Sequence, residues 1–151
     1  MLRKADFGRH RCGLVRLLAL ALSAAPGLAA AAGDASRTDA LVVMQAVIRV
    51  TTNAEYCNKR VRANPQLMTD ALAWNGRQRA AIERVAAVIE KSGGLSKQEK
   101  DDSNATAAAE WKTLDVGKCD ALRRDIESGT LDLDKHPDTA PALERLLDAA
   151  P

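Results

Sequence analysis

The segment Glu55–Pro65 limits the folds available to this chain more than any other stretch. It contains Cys57, then a run rich in bases, then the pair Asn64-Pro65. The residue before a proline disfavours helical geometry, and proline is well suited to the first position of a helix. The segment therefore predicts the end of one helix, a turn and the start of the next helix.

The stretch before this segment has apolar residues at alternating spacings of three and four, the period of one helix face. The face comprises Ala40, Val43, Val47, Val50, Ala54, Cys57 and Val61. Ser36 or Thr38 is a candidate N-cap, because either hydroxyl accepts a hydrogen bond from an exposed backbone N–H. We expect the first helix to begin there.

Three further helices are predicted, over residues 65–91, 96–128 and 141–149. Gly93-Gly94 ends the second helix, and the sequence Ser96-Lys97-Gln98-Glu99 matches a capping box that opens the third. The predicted fold class is all-α: an up-down-up three-helix bundle with a short fourth C-terminal helix, tied by one disulfide.

The disulfide prediction rests on two matched positions. In an up-down-up bundle the first and third helices run parallel. Cys57 lies about 20 residues into the first helix and Cys119 about 22 into the third, or roughly 30 and 33 Å along them. Because the depths agree, Cys57 and Cys119 are expected to form a bridge.

Residues 1–32 have the composition of an export signal peptide. Five bases and one acid precede an apolar run over 17–25, and small residues follow over 28–33. We expect cleavage between Ala30 and Gly33, which leaves one domain, residues 33–151. A retained anchor is the alternative, but Pro26-Gly27 interrupts the run short of the roughly 20 apolar residues of a span. The mature protein is predicted to be periplasmic or secreted, with no membrane span.

Removal of this segment reverses the sign of the net charge. The whole chain carries +2, and without residues 1–32 it has 17 bases and 19 acids, or −2. Three aromatic residues remain, at positions 56, 74 and 111. Nucleic-acid surfaces combine positive charge with aromatic stacking, so this composition argues against a nucleic-acid partner.

Few residues of the predicted domain are suited to catalysis. Its one histidine is His136, and the sequence has no G-x-S-x-G, P-loop, G-x-G-x-x-G or H-E-x-x-H motif. Nucleophilic catalysis by serine or cysteine generally needs a neighbouring base. We expect no enzymatic activity and no cofactor, with a hydrolase of unrecognised type as an alternative.

An acidic segment near the C-terminus is a candidate metal site. Its potential ligands recur at every second position: Asp132, Asp134, His136 and Asp138. In an extended loop these side chains would face one way, and oxygen-rich loops suit Ca²⁺. A solvated acidic loop without metal is favoured over this, because the glycine of an EF-hand loop is missing. A polar notch near Thr51, Asn53 and Gln78 is the other candidate site for a small ligand.

A cluster of bases is predicted at one end of the bundle, beside the disulfide. This basic pole comprises Lys59, Arg60, Arg62, Arg123 and Arg124. The second helix begins at the same end, and a helix N-terminus among bases binds anions well. The alternative is that the bases offset the helix macrodipoles, or pair with Glu55, Asp120 and Glu127.

One set of residues follows a recognisable order: Cys57, Asn64-Pro65, Trp74-Asn75, Arg77 and the second cysteine, Cys119. In this respect the chain resembles small uncharacterised exported helical proteins of proteobacteria. The resemblance covers residues 40–127, and the order of the residues after the tryptophan is altered here. It implies a periplasmic helical bundle with one cysteine pair and no particular activity.

These features favour a periplasmic accessory or interaction protein that binds a protein or an anionic envelope component through its surface. A small-ligand or metal-binding helical module is the alternative. The acidic segment and the polar notch would then supply the site.

Overall fold

The computed structural model describes residues 26–61 and 65–149, with side chains from residue 33 onward. Five α-helices and no strand lie within these residues. They are α1 (Pro26–Tyr56), α2 (Gln66–Lys91), α3 (Lys97–Trp111), α4 (Val116–Ser128) and α5 (Ala140–Asp148), and a π-helical turn, Cys57–Val61, extends α1. The predicted all-α class is confirmed. Residues 1–25 of the predicted signal peptide lie outside the described residues.

The predicted start of the first helix is wrong. α1 is already helical from Pro26 and passes without a break through Ser36 and Thr38. The Thr38 hydroxyl donates to the Asp34 carbonyl at 2.9 Å, which is the bond of a hydroxyl inside a helix and not that of an N-cap. The alanine-rich sequence before it explains the extension, because alanine has the highest helix propensity.

The predicted third helix is two helices. The capping box at its start is confirmed, since the Ser96 hydroxyl accepts from Glu99 N and the Glu99 carboxylate accepts from Ser96 N. The chain leaves the helix after Trp111, and Asp115, whose backbone is extended, caps α4: its carboxylate accepts from Lys118 N at 2.8 Å. This side-chain bond offers the backbone an alternative to a continuous helix.

The core lies between α1, α2 and α5. The predicted α1 face is buried from Ala40 to Cys57, at every third or fourth residue. Trp74 of α2 is fully buried, and its Nε1 donates to the Leu131 carbonyl at 3.1 Å. Leu133 is buried as well, so the segment between α4 and α5 packs onto the core.

A disulfide joins the end of α1 to α4. The Cα atoms of Cys57 and Cys119 are 5.7 Å apart, and both residues are buried. Cys57 opens the π-helical turn, whereas Cys119 lies in the first turn of α4. The predicted pairing is confirmed, although Cys119 is not deep inside a long third helix.

Candidate functional site

A cleft of about 230 Å³ lies between α1 and α3. The α1 side is formed by one helix face, which includes Val42, Ala46 and Arg49. The α3 side repeats at the same helical spacing and runs from Asp102 to Glu110. The segment between α4 and α5 adds a third side.

Contacts at both ends of the cleft hold α3 against α1. At one end Arg37 of α1 binds Glu99, with its Nη2 2.8 Å from both carboxylate oxygens. At the other end Asn53 Nδ2 of α1 donates to Glu110 Oε2 at 2.9 Å. Between these contacts Ala107 is the one buried residue of α3. Because its side chain is a single methyl group, the space between the two helices is not filled. The cleft is therefore a consequence of two end contacts and an alanine-rich helix.

The Arg37–Glu99 contact is reinforced by the capping box. The backbone N–H of Ser96 donates to the Glu99 carboxylate and, together with Arg37, holds the pKa of Glu99 below its ordinary value. Arg37 also donates to Ser92 Oγ at 2.7 Å and to the Gly94 carbonyl at 3.1 Å. The start of α3 is thus fixed both to α1 and to the turn that follows α2.

The lining of the cleft is acidic. Three carboxylates contribute to it, those of Asp102, Glu110 and Asp138, against the single guanidinium of Arg49. The charged side chains of the lining therefore sum to −2. No ion pair of Arg49 or Asp102 is found in the part of the chain that the structure describes.

The rest of the lining is aliphatic or neutral and polar. Val42, Ala46, Ile48 and Ala107 supply the aliphatic surface, and the Val42 side is open to solvent, with 37% of that residue exposed. No aromatic side chain is among the described residues that line the cleft. The cleft thus combines an aliphatic surface with excess negative charge.

Two buried polar atoms near the Glu110 end have no hydrogen-bond partner among the described residues. They are Asn53 Oδ1 and Trp111 Nε1. The Trp111 ring stacks on Tyr56 of α1, with centroids 5.4 Å apart and planes 10° apart. This stack adds a second contact between the ends of α1 and α3, beside the Asn53–Glu110 hydrogen bond.

Two bases of the predicted basic pole form ion pairs with acidic residues of the same chain. Lys59 forms an ion pair with Glu55 one turn before it. Arg123 contacts Asp70 of α2 at 3.0 Å and Glu127 of its own helix at 2.5 Å. The hydrogen bond to Asp70 and that to Glu127 raise the pKa of Arg123, whose side chain is only 30% exposed. Arg123 is therefore not available as a free, exposed cation.

Two of the predicted bases remain as exposed cations. Arg60 and Arg124 are exposed and have no ion pair within the described ranges. Arg62 lies outside the described residues. The positive charge available to an anion at this end is thus smaller than the sequence predicts.

The acidic segment consists of hydrogen-bonded turns and is not extended. His136 N donates to the Asp132 carbonyl at 2.8 Å, and Thr139 N donates to the His136 carbonyl at 3.0 Å. Alternate side chains therefore do not face one way, and that expectation is wrong. The buried Asp132 carboxylate accepts from Gln78 Nε2 and from Lys135 Nζ, both at 3.1 Å. Over residues 33–61 and 65–149, no group of three or more His, Cys, Asp or Glu is placed to hold a metal ion.

The other members of the predicted sites have separate surroundings. Asp134 and Asp138 are exposed, and only Asp138 lines the cleft. Thr51 donates to a carbonyl one turn earlier on α1, whereas Asn53 binds α3 and Gln78 binds Asp132. Thr51, Asn53 and Gln78 therefore do not form one polar notch.

Comparison with protein-family models, with curated proteins and with solved structures finds no match for this chain. Of the helices in the described part, none has the length and apolar character needed to cross a membrane. The cleft was not predicted from the sequence, although α3 carries a signal for it. Ala105, Ala107, Ala108 and Ala109 leave that helix without a large aliphatic side chain.

Proposed function

We propose that the protein is an exported accessory protein that binds a partner protein through the cleft between α1 and α3. The observation that carries this proposal is the cleft itself. Its volume of about 230 Å³ is below the roughly 300–1,000 Å³ of pockets that enclose whole drug-sized ligands. A space of this size suits one inserted side chain, and single anchors in such pockets supply much of the energy of protein binding.

The contacts around the cleft favour binding without large rearrangement. Arg37–Glu99 and Asn53–Glu110 hold α3 at both ends, and the disulfide fixes the end of α1. A site held in its bound shape loses less conformational freedom when the partner arrives.

Export is supported by the N-terminal composition and by the cysteine pair. Disulfides persist mainly in oxidising compartments, and the two cysteines outside residues 1–32 pair with each other. N-terminal sequencing of protein recovered from the periplasm should begin between Ala31 and Asp34. An intact Met1 in a membrane fraction would contradict export by a cleaved signal.

Site-specific photo-crosslinking tests the binding role. A photoreactive amino acid is placed at Val42, on the open side of the cleft, and separately at Leu72, an exposed aliphatic residue of α2; these residues are 37% and 65% exposed. In the cell that makes the protein, the Val42 position should crosslink to a discrete partner and the Leu72 position should not. Equal adducts at both positions, or none at Val42, would show that the cleft is not the binding surface.

A further inference from the structure

The charge of the cleft restricts what the partner inserts. Asp102, Glu110 and Asp138 outnumber Arg49, so an anionic group would enter against a net repulsion. A neutral apolar group would remove water from the carboxylates without offering them a new partner, which is costly. A cationic group would instead lower the repulsion among the three carboxylates.

The shape and composition of the lining restrict the kind of cation. Quaternary ammonium groups are recognised chiefly by aromatic faces, and a guanidinium gains from stacking on such faces in addition to its bidentate contact with a carboxylate. The described lining has none and offers aliphatic surface at Val42, Ala46 and Ala107. A primary ammonium at the end of a methylene chain suits this combination, because its stem packs on apolar surface while its three N–H donors meet carboxylates.

We infer that the cleft receives a lysine side chain of the partner protein, an inference that rests on the proposed binding function. The methylene stem lies along the aliphatic face of α1. The ammonium group lies in the excess negative charge that Asp102, Glu110 and Asp138 give the cleft. Arg49 opposes it, so this residue limits the affinity of the site and disfavours a second cation.

A peptide titration tests this inference. The probes are two capped tripeptides, acetyl-Ala-Lys-Ala-amide and its norleucine analogue, which keeps the aliphatic stem and lacks the charge. Binding is followed by amide chemical shifts of the ¹⁵N-labelled, disulfide-bonded protein. We expect the largest shifts at Ala46, Ser103 and Ala107, and about fivefold tighter binding of the lysine peptide. Equal affinity of the two peptides would overturn the inference.

Charge-removing variants with matched controls localise the effect. Asp102→Asn and Asp138→Asn should each weaken binding of the lysine peptide about fivefold and leave binding of the norleucine peptide unchanged. Asp101→Asn and Asp134→Asn, their neighbours outside the cleft, should change neither by more than about twofold. Equal effects in cleft and control variants would show that only the general charge of the protein matters.

Arg49→Gln gives a test of opposite sign. It removes the opposing cation and should therefore tighten binding of the lysine peptide about threefold, without changing the affinity for the norleucine peptide. A weaker lysine peptide would contradict the role assigned to Arg49. Pentylamine serves as a final probe: if it binds more tightly than the lysine peptide, the natural occupant is a free amine and not a partner's side chain.

This inference and the proposed function can fail separately. If Val42 crosslinks specifically while the lysine peptide binds no better than the norleucine peptide, the proposed binding function is retained. The inference that the cleft receives a lysine side chain is then rejected. If Val42 yields no specific adduct, the proposed function fails whatever the peptides do.

Discussion

The disulfide should make a large, calculable contribution to stability. Cys57 and Cys119 are 62 residues apart in the chain, and closing a loop of that length removes unfolded-state entropy worth about 4 kcal/mol at 25 °C. A domain of about 120 residues unfolds with an entropy near 0.25 kcal/mol/K, so loss of the bridge should lower Tm by about 15 °C. The predicted change is large because the bridge closes a long loop, with its two cysteines 62 positions apart.

The assay is thermal unfolding followed by circular dichroism. It compares oxidised protein, protein held in a strong reductant, and the Cys57→Ala/Cys119→Ala variant. The reduced protein keeps both sulfur atoms in place and therefore controls for the small cavities that alanine leaves at these buried positions. Each single alanine variant should match the double variant, since removal of either cysteine abolishes the same bond. If reduction lowers Tm by less than about 3 °C, the entropic account of the bridge is refuted.

Three other predictions concern two glycines and one surface ion pair. Gly129→Ala should cost about 1–2 kcal/mol, because φ is +74° and the new Cβ would lie 2.8 Å from Asp132 Oδ2. Gly76 lies in α2 with open space around it, so Gly76→Ala should stabilise the protein by about 0.5–1 kcal/mol. Urea denaturation measures both glycine variants, and changes of equal sign in their free energies of unfolding would contradict this reasoning. The hydrogen bond from Arg145 holds the pKa of Asp39 below its ordinary value, so its stabilisation is present at neutral pH and lost as pH falls below about 4. Arg145→Gln should therefore reduce the loss of stability between neutral and acid pH, and an unchanged pH profile would refute the coupling.

The parts of the fold predicted correctly depend on local periodicity. Apolar residues at spacings of three and four mark the buried face of α1, and Ser96 with Glu99 marks the start of α3. The pairing of Cys57 with Cys119 was predicted correctly from a helix that does not exist as one piece. It remained correct because α4 brings Cys119 to the end of α1 despite the break between Trp111 and Val116.

Two features of the candidate site that were not predicted correctly depend on tertiary contacts. The sequence places Arg123 near a helix end but does not indicate that Asp70, on another helix, faces it. In the same way, the cleft exists because Arg37 and Asn53 bind α3 at two distant points and leave a gap between them. In each of these contacts the two residues are separated by between 53 and 62 positions in the sequence. Helical periodicity gives no information about which residues meet over such separations.

Blocking the cleft between α1 and α3 tests whether it is the binding site. Thr106→Trp places an indole in the cleft, whereas Ala105→Trp places one on the exposed surface of the same helix, outside the lining. Each is combined with the photoreactive residue at Val42, and the amount of partner adduct is measured. We expect the adduct to be lost with Thr106→Trp and retained with Ala105→Trp. An adduct that survives Thr106→Trp in a folded protein would contradict this expectation.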